Sequence, residues 1–503
     1  MAFDGKHALI TGSSRRAESG EGLLRRWRES DVKVAVLCAA FFVTTASSYG
    51  QHVTAYAQNK DSDDLAKRTI ERRAAEAVIW GMPIVSVYAM RQAFFRDAKA
   101  NYNDIVFWSK PSDWKNQTTT PNSSTLYVYF NFNTKDGPVV VIIPPSFEAG
   151  LFGTLLDAWQ VPLVDVGPKG EDQGRGGKYL LLPPDFKGDV PTGYIVVRPQ
   201  TYNGYALLRP IPKSSSEADV SNAIALVKKL RLYPLVKDAR PPEQRFIDMA
   251  DKLFDGIVRF DESFYANLAR MINEEPVLAQ DRAMMGLLLP LGIEKGKEFK
   301  PDAATQRILA TSARDAHTWL MNGLLTYITP FWPDSSWAVP FAPVAFETAF
   351  SFERPDYLDV DARGIGYFSF YAGATKPGAA TFIVGTFKDA KGDLLRGEES
   401  YKLHVPSNVP AQQFWAFTIY DRETCAFIRD MPRTTIDSYD QNMQKNADRS
   451  VDIYIGPKPP SGRKANWIQT ASGRNWFPFF RFYGPEKPLF EKTWKLPDIE
   501  KTK

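Results

Sequence analysis

The stretch NWFPFFRFYG at residues 475–484 has the alternation of a β-strand with two different faces. Successive side chains of a strand point to opposite sides, so Phe477, Phe479, Arg481 and Tyr483 share one face. Arg481 is then a lone charge in a strand that is otherwise almost wholly apolar. Because such a strand is normally buried, the guanidinium needs a partner of opposite charge.

Two interpretations of Arg481 follow. In the first, Asp421 or Asp452 supplies the carboxylate of a structural ion pair, because buried charges are normally paired. In the second, the guanidinium holds the carboxylate or phosphate of a ligand through two parallel hydrogen bonds, inside the mouth of a β-barrel. The sequence leaves both interpretations open.

Aromatic side chains near two strand ends and one loop predict the wall of a pocket. The stretch FWAFTIYD at residues 414–421 predicts a strand that ends with Tyr420 and Asp421, and Tyr483 lies near the end of its own strand. Trp467 follows the loop segment PPSGRK, and loops on rigid β-scaffolds are common ligand sites. We expect Tyr420, Trp467 and Tyr483 to meet at one rim. The alternative is that these rings cap a hydrophobic core.

Short strand-like runs bounded by Pro, Gly and Asn occur in two blocks of the chain. The first block is typical of an antiparallel β domain, and the second of a sandwich or jelly roll. The runs are STLYVYFNFN, GPVVVIIPP, GKYLLLPPDF and GYIVVRPQTYNGYALLRP in the first block, and IGYFSFYAG, ATFIVGTF, ESYKLHVP, QQFWAFTIYD, SVDIYIGP and WFPFFRFYG in the second.

Helical periodicity marks the segments before and between these blocks. Apolar residues recur at helical spacing after Asp63, until Gly81 and Pro83 interrupt the pattern. The stretch DAATQRILATSARDAHTWLMNGLL at residues 302–325 predicts a second helix. A third helix is predicted from an apolar face made of Phe246, Met249, Ala250, Leu253 and Ile257.

These patterns predict a multidomain α+β protein. We expect a leader and signal peptide at residues 1–57 and an N-terminal helical segment at 58–106. A β-sandwich domain follows at 107–213, then a helical middle domain at 214–330 and a second β-sandwich at 331–503.

Two longer parts of the chain resemble an exported bacterial family with paired domains of unknown function, DUF1254 on the N-terminal side and DUF1214 on the C-terminal side. The first part combines TTTPNSSTLYVYFNF at 118–132 with GKYLLLPPDFKGDVPTGYIVVRP at 177–199. The second combines FWAFTIYDRETCAFI at 414–428 with NADRSVDIYIGPKPPSGRKANWIQTASGRNWFPFFRFYGPEKP at 446–488. The resemblance runs from about residue 70 to the end. It implies an Ig-like β-sandwich, a helical insert and a jelly-roll-like C-terminal domain, with no established activity.

The N-terminal motif departs from the family at one position. The family often has Pro-Asn-Asn-Asp-Thr-Leu-Tyr, whereas this chain has Ser124 at the acidic position. The polar candidates left in this region are Asn122 and Tyr127, with Asp157 and Trp159 in the stretch GTLLDAWQVP. Asp157 is a candidate general base unless Arg209 or another group neutralises it.

The first 57 residues predict a leader with a secretory signal peptide. Basic residues precede an unbroken apolar run from Val34 to Val43, and Ala55-Tyr56-Ala57 has the form of a cleavage site. The run is shorter than the roughly 20 residues of a membrane span, so we expect no stable span after removal of the signal.

The stretch KHALITGSS at residues 6–14 looks like the first turn of a dinucleotide-binding fold. The later glycine positions of that turn hold Arg16 and Glu18, and no βαβ unit follows. Glycine is needed there so that the backbone can approach the pyrophosphate. A nicotinamide-dependent dehydrogenase is therefore not supported.

Composition narrows the function classes further. The net charge is only +4 over 503 residues, which gives no footprint for nucleic acid. Of the two cysteines, Cys38 lies in the signal, so Cys425 has no intrachain partner in the exported form. His317 and His404 are the only histidines after the leader, and neither has the spacing of a metal ligand. We expect no metal and no cofactor.

These observations favour a periplasmic or secreted protein that binds a small molecule in an aromatic-lined pocket within or between its β domains. One alternative is a periplasmic hydrolase or lyase that uses Asp, Arg or Tyr, which a cleft containing a strongly shifted carboxylate would favour. The other is a structural envelope protein without a cleft. No catalytic residue or oligomeric state is predicted. The candidate ligand-binding residues are Asn122, Tyr127, Asp157, Trp159, Tyr420, Asp421, Trp467, Arg481 and Tyr483.

Overall fold

A computed structural model describes residues 60–147, 149–214, 216–340, 343–376 and 381–502. The chain divides into two compact units, residues 1–69 and 70–503. The described part of the first unit is the start of helix α1. The cavity that forms the candidate site lies in the second unit. The predicted leader and signal peptide at residues 1–57 lie outside the described residues.

Helix α1, Lys60–Arg96, is a core helix over most of its length. Its part from Asp64 to Arg96 is long and apolar enough to cross a membrane, but 83% of the apolar window is buried inside the protein. The expected interruption near Gly81 and Pro83 is wrong, because the helix continues through both residues. The Pro83 carbonyl accepts a hydrogen bond of 3.1 Å from Gln160 Nε2.

The N-terminal β region consists of two sheets that share one core. Its strands are β1 Ile105–Trp108, β2 Asn116–Gln117, β3 Tyr127–Asn133, β4 Val139–Ile143, β5 Gly150–Asp157, β6 Pro162–Val166, β7 Gly177–Leu181, β8 Ile195–Val197, β9 Asn203–Ile211, β10 Arg231–Pro234, β11 Phe246–Asp248 and β12 Phe254–Asp255. In the described part of the chain, one sheet has the order β11-β1-β3-β9-β5-β6 and the other β10-β4-β7-β8, while β12 pairs with β2. Both larger sheets and helix α2, Glu217–Val227, contribute apolar side chains to the core.

The helix predicted from the apolar set at residues 246–257 is wrong. Phe246, Ile247 and Asp248 form β11 and pair in parallel with β1, and Phe254 begins the short strand β12. The helical spacing of the apolar residues gave no information on pairing partners more than a hundred residues away in sequence. Those partners determine the local conformation.

The middle helices pack on α1 and do not enclose a core of their own. They are α3 Ser263–Glu274, α4 Arg282–Leu288 and α5 Ala303–Thr326, with 3₁₀ turns at Leu235–Lys237, Ala279–Asp281 and Leu289–Leu291. The helix predicted at 302–325 is confirmed as α5, and it begins where the Asp302 side chain accepts a 2.7 Å hydrogen bond from the Thr305 backbone N–H. One hydrophobic cluster joins Val78 of α1, Leu268 of α3, Leu320 of α5 and Phe479 of the C-terminal region.

The C-terminal β region also consists of two sheets around one core. Its strands are β13 Thr329–Pro330, β14 Ala338–Val339, β15 Thr381–Gly385, β16 Tyr401–Val405, β17 Ala411–Asp421, β18 Thr435–Asp437, β19 Val451–Gly456, β20 Trp467–Gln469, β21 Trp476–Pro485 and β22 Glu500–Lys501. Within the described ranges the sheet orders are β13-β14-β15-β21-β17-β18 and β20-β19-β16-β22. Helices α6 Pro343–Glu347, α7 Val360–Ser369 and α8 Lys487–Phe490, with a 3₁₀ turn at Lys464–Asn466, complete the mixed α+β fold.

The stretch IGYFSFYAG, which predicted a strand, lies mostly in helix α7. The Asp359 side chain caps this helix by accepting a 3.1 Å hydrogen bond from the Ala362 backbone N–H. Ile365 and Phe368 enter the same core as α1 and α5. The aromatic residues of this stretch favour a strand locally but pack in a helix here. Contacts with residues distant in sequence override the local preference.

The two faces predicted for the C-terminal strands are confirmed. Phe480 and Phe482 of β21 pack with Trp415 and Phe417 of β17 in the core between the two C-terminal sheets. The alternate side chains of both strands, including Arg481, point away from that core. The six-stranded C-terminal sheet therefore has an outer face available for other contacts.

Candidate functional site

A cavity of about 520 Å³ lies between the two β regions. Its lining includes side chains from the outer faces of both six-stranded sheets, that is, the faces turned away from the sandwich cores. Residues 116–122 and the chain around α6 and α7 complete the lining. We call the N-terminal sheet face the first wall and the C-terminal sheet face the second wall.

The first wall contains an arginine within a row of aromatic residues. Strand register places Trp108 opposite Tyr127, and Phe152 opposite Arg209. The neighbouring pair Val128 and Leu208 brings Tyr127 and Arg209 next to each other. The guanidinium of Arg209 lies over the Tyr127 ring, 5.6 Å from its centroid. The next row on this face contains Tyr129, Leu207 and Thr154.

The second wall contains Arg481, which lies between Ile383 of β15 and Ala416 of β17 in the strand register. Two residues along β21, Tyr483 lies on the same face, and its ring stacks on Phe414 with 3.9 Å between centroids. Ala416 is fully buried beside Arg481. Regular pairing on both sides therefore fixes the positions of Arg481 and Tyr483.

Residues 116–125, which we call the linking segment, connect the two walls through Asn122. The Asn122 backbone N–H donates a 2.9 Å hydrogen bond to the Tyr127 hydroxyl, and the side-chain Nδ2 donates to the Tyr483 hydroxyl. Asn122 Oδ1 accepts a 2.8 Å bond from the Ser124 backbone N–H, which sets the orientation of the amide. One residue thus positions a tyrosine from each wall, through its backbone on one side and its side chain on the other.

The second wall makes further contacts with the linking segment. The Tyr420 hydroxyl donates a 2.8 Å hydrogen bond to the Pro121 carbonyl, and Arg481 Nη2 lies 3.4 Å from the Thr120 carbonyl. Gln117 Nε2 donates a 3.0 Å bond to the Phe427 carbonyl. The linking segment is therefore held by hydrogen bonds to the C-terminal β region as well as to its own β region.

The buried guanidinium of Arg481 has little compensation for its charge. Its residue is 4% exposed, and Nη1 has no hydrogen-bond partner. Nη2 makes a long contact with Thr120, the side chain also contacts Tyr420, and the group lies 5.6 Å from the Tyr420 ring centroid and 5.3 Å from that of Phe479. Among the residues that the structure describes, no carboxylate lies within ion-pair distance of Arg481. An uncompensated buried charge costs several kcal/mol.

The expected ion pair of Arg481 with Asp421 or Asp452 is wrong. Asp421 is 3.0 Å from Arg474, and Asp452 is 2.8 Å from His404. Asp421 lies five positions along β17 from Ala416, the residue opposite Arg481, which corresponds to about 17 Å of strand. Asp452 belongs to β19 in the other sheet of the sandwich.

The charged residues of the cavity lining are mostly cationic. Lys169 and Lys376 are exposed lining residues and add to the charges of Arg209 and Arg481. Asp165 is the acidic residue of the described lining. Its carboxylate accepts hydrogen bonds from Thr154 Oγ1 at 2.8 Å and from the backbone N–H groups of residues 375 and 376 at 3.1 and 3.0 Å. Asp165 is therefore already engaged within the protein.

The remainder of the lining is mainly apolar and aromatic. Both β regions and the chain around α6 and α7 contribute to it, so a ligand in the cavity would contact rings on several sides. Besides Tyr127 and Tyr483, the larger apolar and aromatic side chains are Met90, Trp108, Tyr129, Phe152, Leu207, Phe346, Phe350, Phe370, Tyr371, Phe382, Ile383 and Phe479.

Asp157 and Trp159 do not line the cavity. Asp157 ends β5 and accepts backbone hydrogen bonds of 2.8 and 2.9 Å from residues 159 and 161. Burial raises the pKa of Asp157 to about 7. Arg209 does not neutralise it, because Asp157 pairs with Gly204, five positions along β9 from Arg209. The Trp159 ring packs on Trp80, 4.8 Å away.

The expected rim of Tyr420, Trp467 and Tyr483 is wrong. Trp467 begins β20 in the four-stranded sheet, and its Nε1 donates a 2.9 Å hydrogen bond to the Gly456 carbonyl. That sheet lies on the other side of the sandwich core from Tyr483. Tyr420 is fully buried and contacts the linking segment, outside the lining. The structure thus brings Asn122, Tyr127, Arg481 and Tyr483 together and places the other sequence candidates elsewhere.

Arg209 contributes to the cavity but was not among the site residues expected from the sequence. Arg209 is a single charge in the apolar stretch GYALLRP, which is the same signal that identified Arg481. Its alternation with Leu207 could have placed it on the outer face of its sheet. Tyr371 and Phe350 lie beside helices and had no comparable sequence signal. Over the described ranges, no group of three His, Cys, Asp or Glu side chains could hold a metal ion.

Comparisons with known proteins match the two β regions separately. Family models described as "Protein of unknown function" match residues 102–234 (DUF1254) and 380–487 (DUF1214). Strands β1, β3, β5, β6 and β9 of the first wall lie within the first match, and strands β15 and β21 of the second wall lie within the second. No curated protein matches the chain.

Two solved structures are similar to this chain. The VPA0106 protein from Vibrio parahaemolyticus has 16% sequence identity and a TM-score of 0.50, covering 86% of this chain and 100% of that chain. An uncharacterized protein from Burkholderia cenocepacia has 13% identity and a TM-score of 0.38, covering 89% and 98%. The likeness to the Vibrio protein shows a shared fold alone.

The first prediction concerns the stability of an Arg481→Met variant. The change removes a buried charge that has no carboxylate partner among the described residues, so the free energy of unfolding should stay the same or rise. Arg474→Met is the matched control, because it removes the partner of the buried Asp421 and should cost about 1–3 kcal/mol. Urea denaturation of ligand-free protein measures both. A loss of about 3–5 kcal/mol for Arg481→Met would reveal a carboxylate partner.

The second prediction concerns the pH dependence caused by Asp157. Burial raises its pKa to about 7, so between about pH 4 and 7 the folded protein binds a proton that the unfolded chain releases. The free energy of unfolding should therefore fall as the pH rises through this window, by at most about 4 kcal/mol. Asp157→Asn keeps the accepting oxygen and should remove this part of the slope. Parallel stability profiles of the two proteins in urea would contradict the assignment.

Proposed function

We propose that this chain, a member of the family with paired DUF1254 and DUF1214 domains, is an exported protein that binds a small molecule in the cavity between its two β regions. The observation that carries the proposal is the cavity of about 520 Å³, lined by aromatic rings from both regions. Its volume lies in the range of small-molecule sites, which combine apolar walls with a few convergent polar groups.

The way the cavity is built supports binding as its function. Asn122 contacts a tyrosine from each wall, and these contacts position polar groups at the lining without filling the space. A buried arginine without a carboxylate partner is expensive in a purely structural protein. These features favour a binding role over that of a structural envelope protein.

The alternative of a hydrolase or lyase has less support from the same residues. Asp157, whose pKa is raised, lies outside the lining. Asp165 lies in the lining but accepts several hydrogen bonds within the protein. A general base needs an accessible lone pair within reach of the substrate, and Asp165 does not offer one in this arrangement.

Export and the finer fold assignments belong to the same proposal. Periplasmic or secreted localisation is supported by the basic flank, the apolar run and the Ala-x-Ala motif of residues 1–57. An Ig-like first sandwich and a jelly-roll-like second one are supported by two mainly antiparallel sheets around a shared core in each region.

The third prediction tests the cavity with the neutral fluorescent probe N-phenyl-1-naphthylamine. The purified protein should enhance its fluorescence and gain thermal stability with rising probe concentration. Ile383 lines the cavity beside Arg481, so Ile383→Trp should fill part of the space and weaken probe binding at least about tenfold. Titration at constant protein concentration gives the affinity.

The matched control is Val196→Trp. Val196 is 40% exposed on β8 and lies outside the lining, so the added indole should leave the affinity unchanged. Equal binding by the wild type and Ile383→Trp would show that the probe binds elsewhere. Absence of binding to the wild type would contradict the proposed cavity.

A further inference from the structure

We propose that the cavity is selective for a small monocarboxylate with an apolar body, and that Arg481, Arg209, Tyr127 and Tyr483 bind its carboxylate. This inference rests on the proposed function and adds the chemical class of the ligand. Neither the family models nor the solved structures name a ligand.

The buried charge of Arg481 favours an anionic ligand. Its guanidinium is buried in the lining, Nη1 has no hydrogen-bond partner, and the described residues supply no carboxylate nearby. An anionic ligand would supply the missing countercharge in surroundings that exclude water, where a charge-assisted hydrogen bond is strongest. Arg209 is the second cation and lies on the first wall, opposite Arg481. Its guanidinium lies over the ring of Tyr127 on the same wall.

The direction of the tyrosine hydrogen bonds also favours an anionic ligand. The hydroxyl oxygens of Tyr127 and Tyr483 both accept a hydrogen from Asn122. Within the described ranges, neither hydroxyl has an acceptor for its own hydrogen. Burial raises the pKa of Tyr483, so this hydroxyl keeps its proton at neutral pH. Each tyrosine therefore offers one donor to an anion.

The charged and hydrogen-bonding groups of the lining favour a carboxylate over other charged groups. A cation is disfavoured because Asp165 is the acidic residue of the lining and is already engaged, whereas Arg209, Arg481, Lys169 and Lys376 are positive. One buried guanidinium and two phenols match the two oxygens of a carboxylate. A dianionic phosphate has a third oxygen and a second charge, for which the buried donors Arg481, Tyr127 and Tyr483 have no counterpart.

The apolar part of the ligand follows from the rest of the lining. Phe152 and Leu207 from the first wall and Ile383 and Phe479 from the second supply apolar surface beside the cationic groups. Burial of a ligand's apolar body against such surface contributes about 25 cal/mol per Å². Acetate or formate would therefore lack most of the binding energy.

The fourth prediction compares two pairs of probes by isothermal titration calorimetry. The carboxylates are 2-naphthoate and decanoate, each matched by its neutral alcohol, 2-naphthalenemethanol or 1-decanol. At least one carboxylate should bind the wild-type protein about tenfold or more tightly than its alcohol, since a charge-assisted hydrogen bond contributes roughly this factor. This comparison requires no variant.

Variants then assign the selectivity to named groups. Arg481→Met should weaken carboxylate binding about 100-fold and change alcohol binding by less than about threefold. Tyr483→Phe should weaken carboxylate binding about tenfold, because it removes one donor and keeps the ring. Arg474→Met is the control for net charge: it loses the same charge outside the lining and should bind like the wild type. Thermal melting of each variant verifies that it is folded.

The possible outcomes separate this inference from the proposed function. If neither carboxylate binds more tightly than its alcohol, the carboxylate inference is overturned, and binding of the alcohols would still support the cavity as a binding site. If carboxylate binding is tight but Arg481→Met does not weaken it, the assignment to the buried guanidinium is overturned. If none of the four probes binds, both proposals fail.

Discussion

The alternation of side chains along β21 is the constraint on which the rest of the site depends. Phe480 and Phe482 must face the core between the two C-terminal sheets, so Arg481 and Tyr483 must face the opposite way. A slip of one residue in the register would exchange the two sets, exposing the phenylalanines and placing the guanidinium in the sandwich core. The apolar core of the second sandwich thus enforces the burial of a charge at the cavity.

The linking segment contacts both sheet faces and so joins the two walls of the site. Asn122 holds a tyrosine from each wall, and the carbonyls of Thr120 and Pro121 contact Arg481 and Tyr420 of the second wall. The position of the cationic groups relative to the aromatic rings depends on these few hydrogen bonds. Three of these four contacts join a residue of the first family match to a residue of the second, so neither domain alone would form the cavity.

Local sequence patterns predicted the strands that matter most and the chemical character of one wall. The faces of β17 and β21 followed from a period of two, and Arg481 followed from its charge in an apolar strand. Helix α7 and strand β11 were predicted as the wrong element, since contacts with α1, α5 and β1 decide their conformation. Trp467 was placed at the wrong face because its loop sequence does not reveal which sheet it enters.

The proposed contact of a carboxylate with Arg481, in the cavity between the two β regions, can be observed by anomalous diffraction at the bromine edge from crystals grown with 6-bromo-2-naphthoate. We expect one bromine peak within the cavity, with the carboxylate oxygens in hydrogen-bond distance of Arg481 and of the Tyr483 hydroxyl. A bromine peak outside the cavity, or a carboxylate that contacts only the exposed Lys169 and Lys376 while Arg481 Nη1 has no partner, would contradict it.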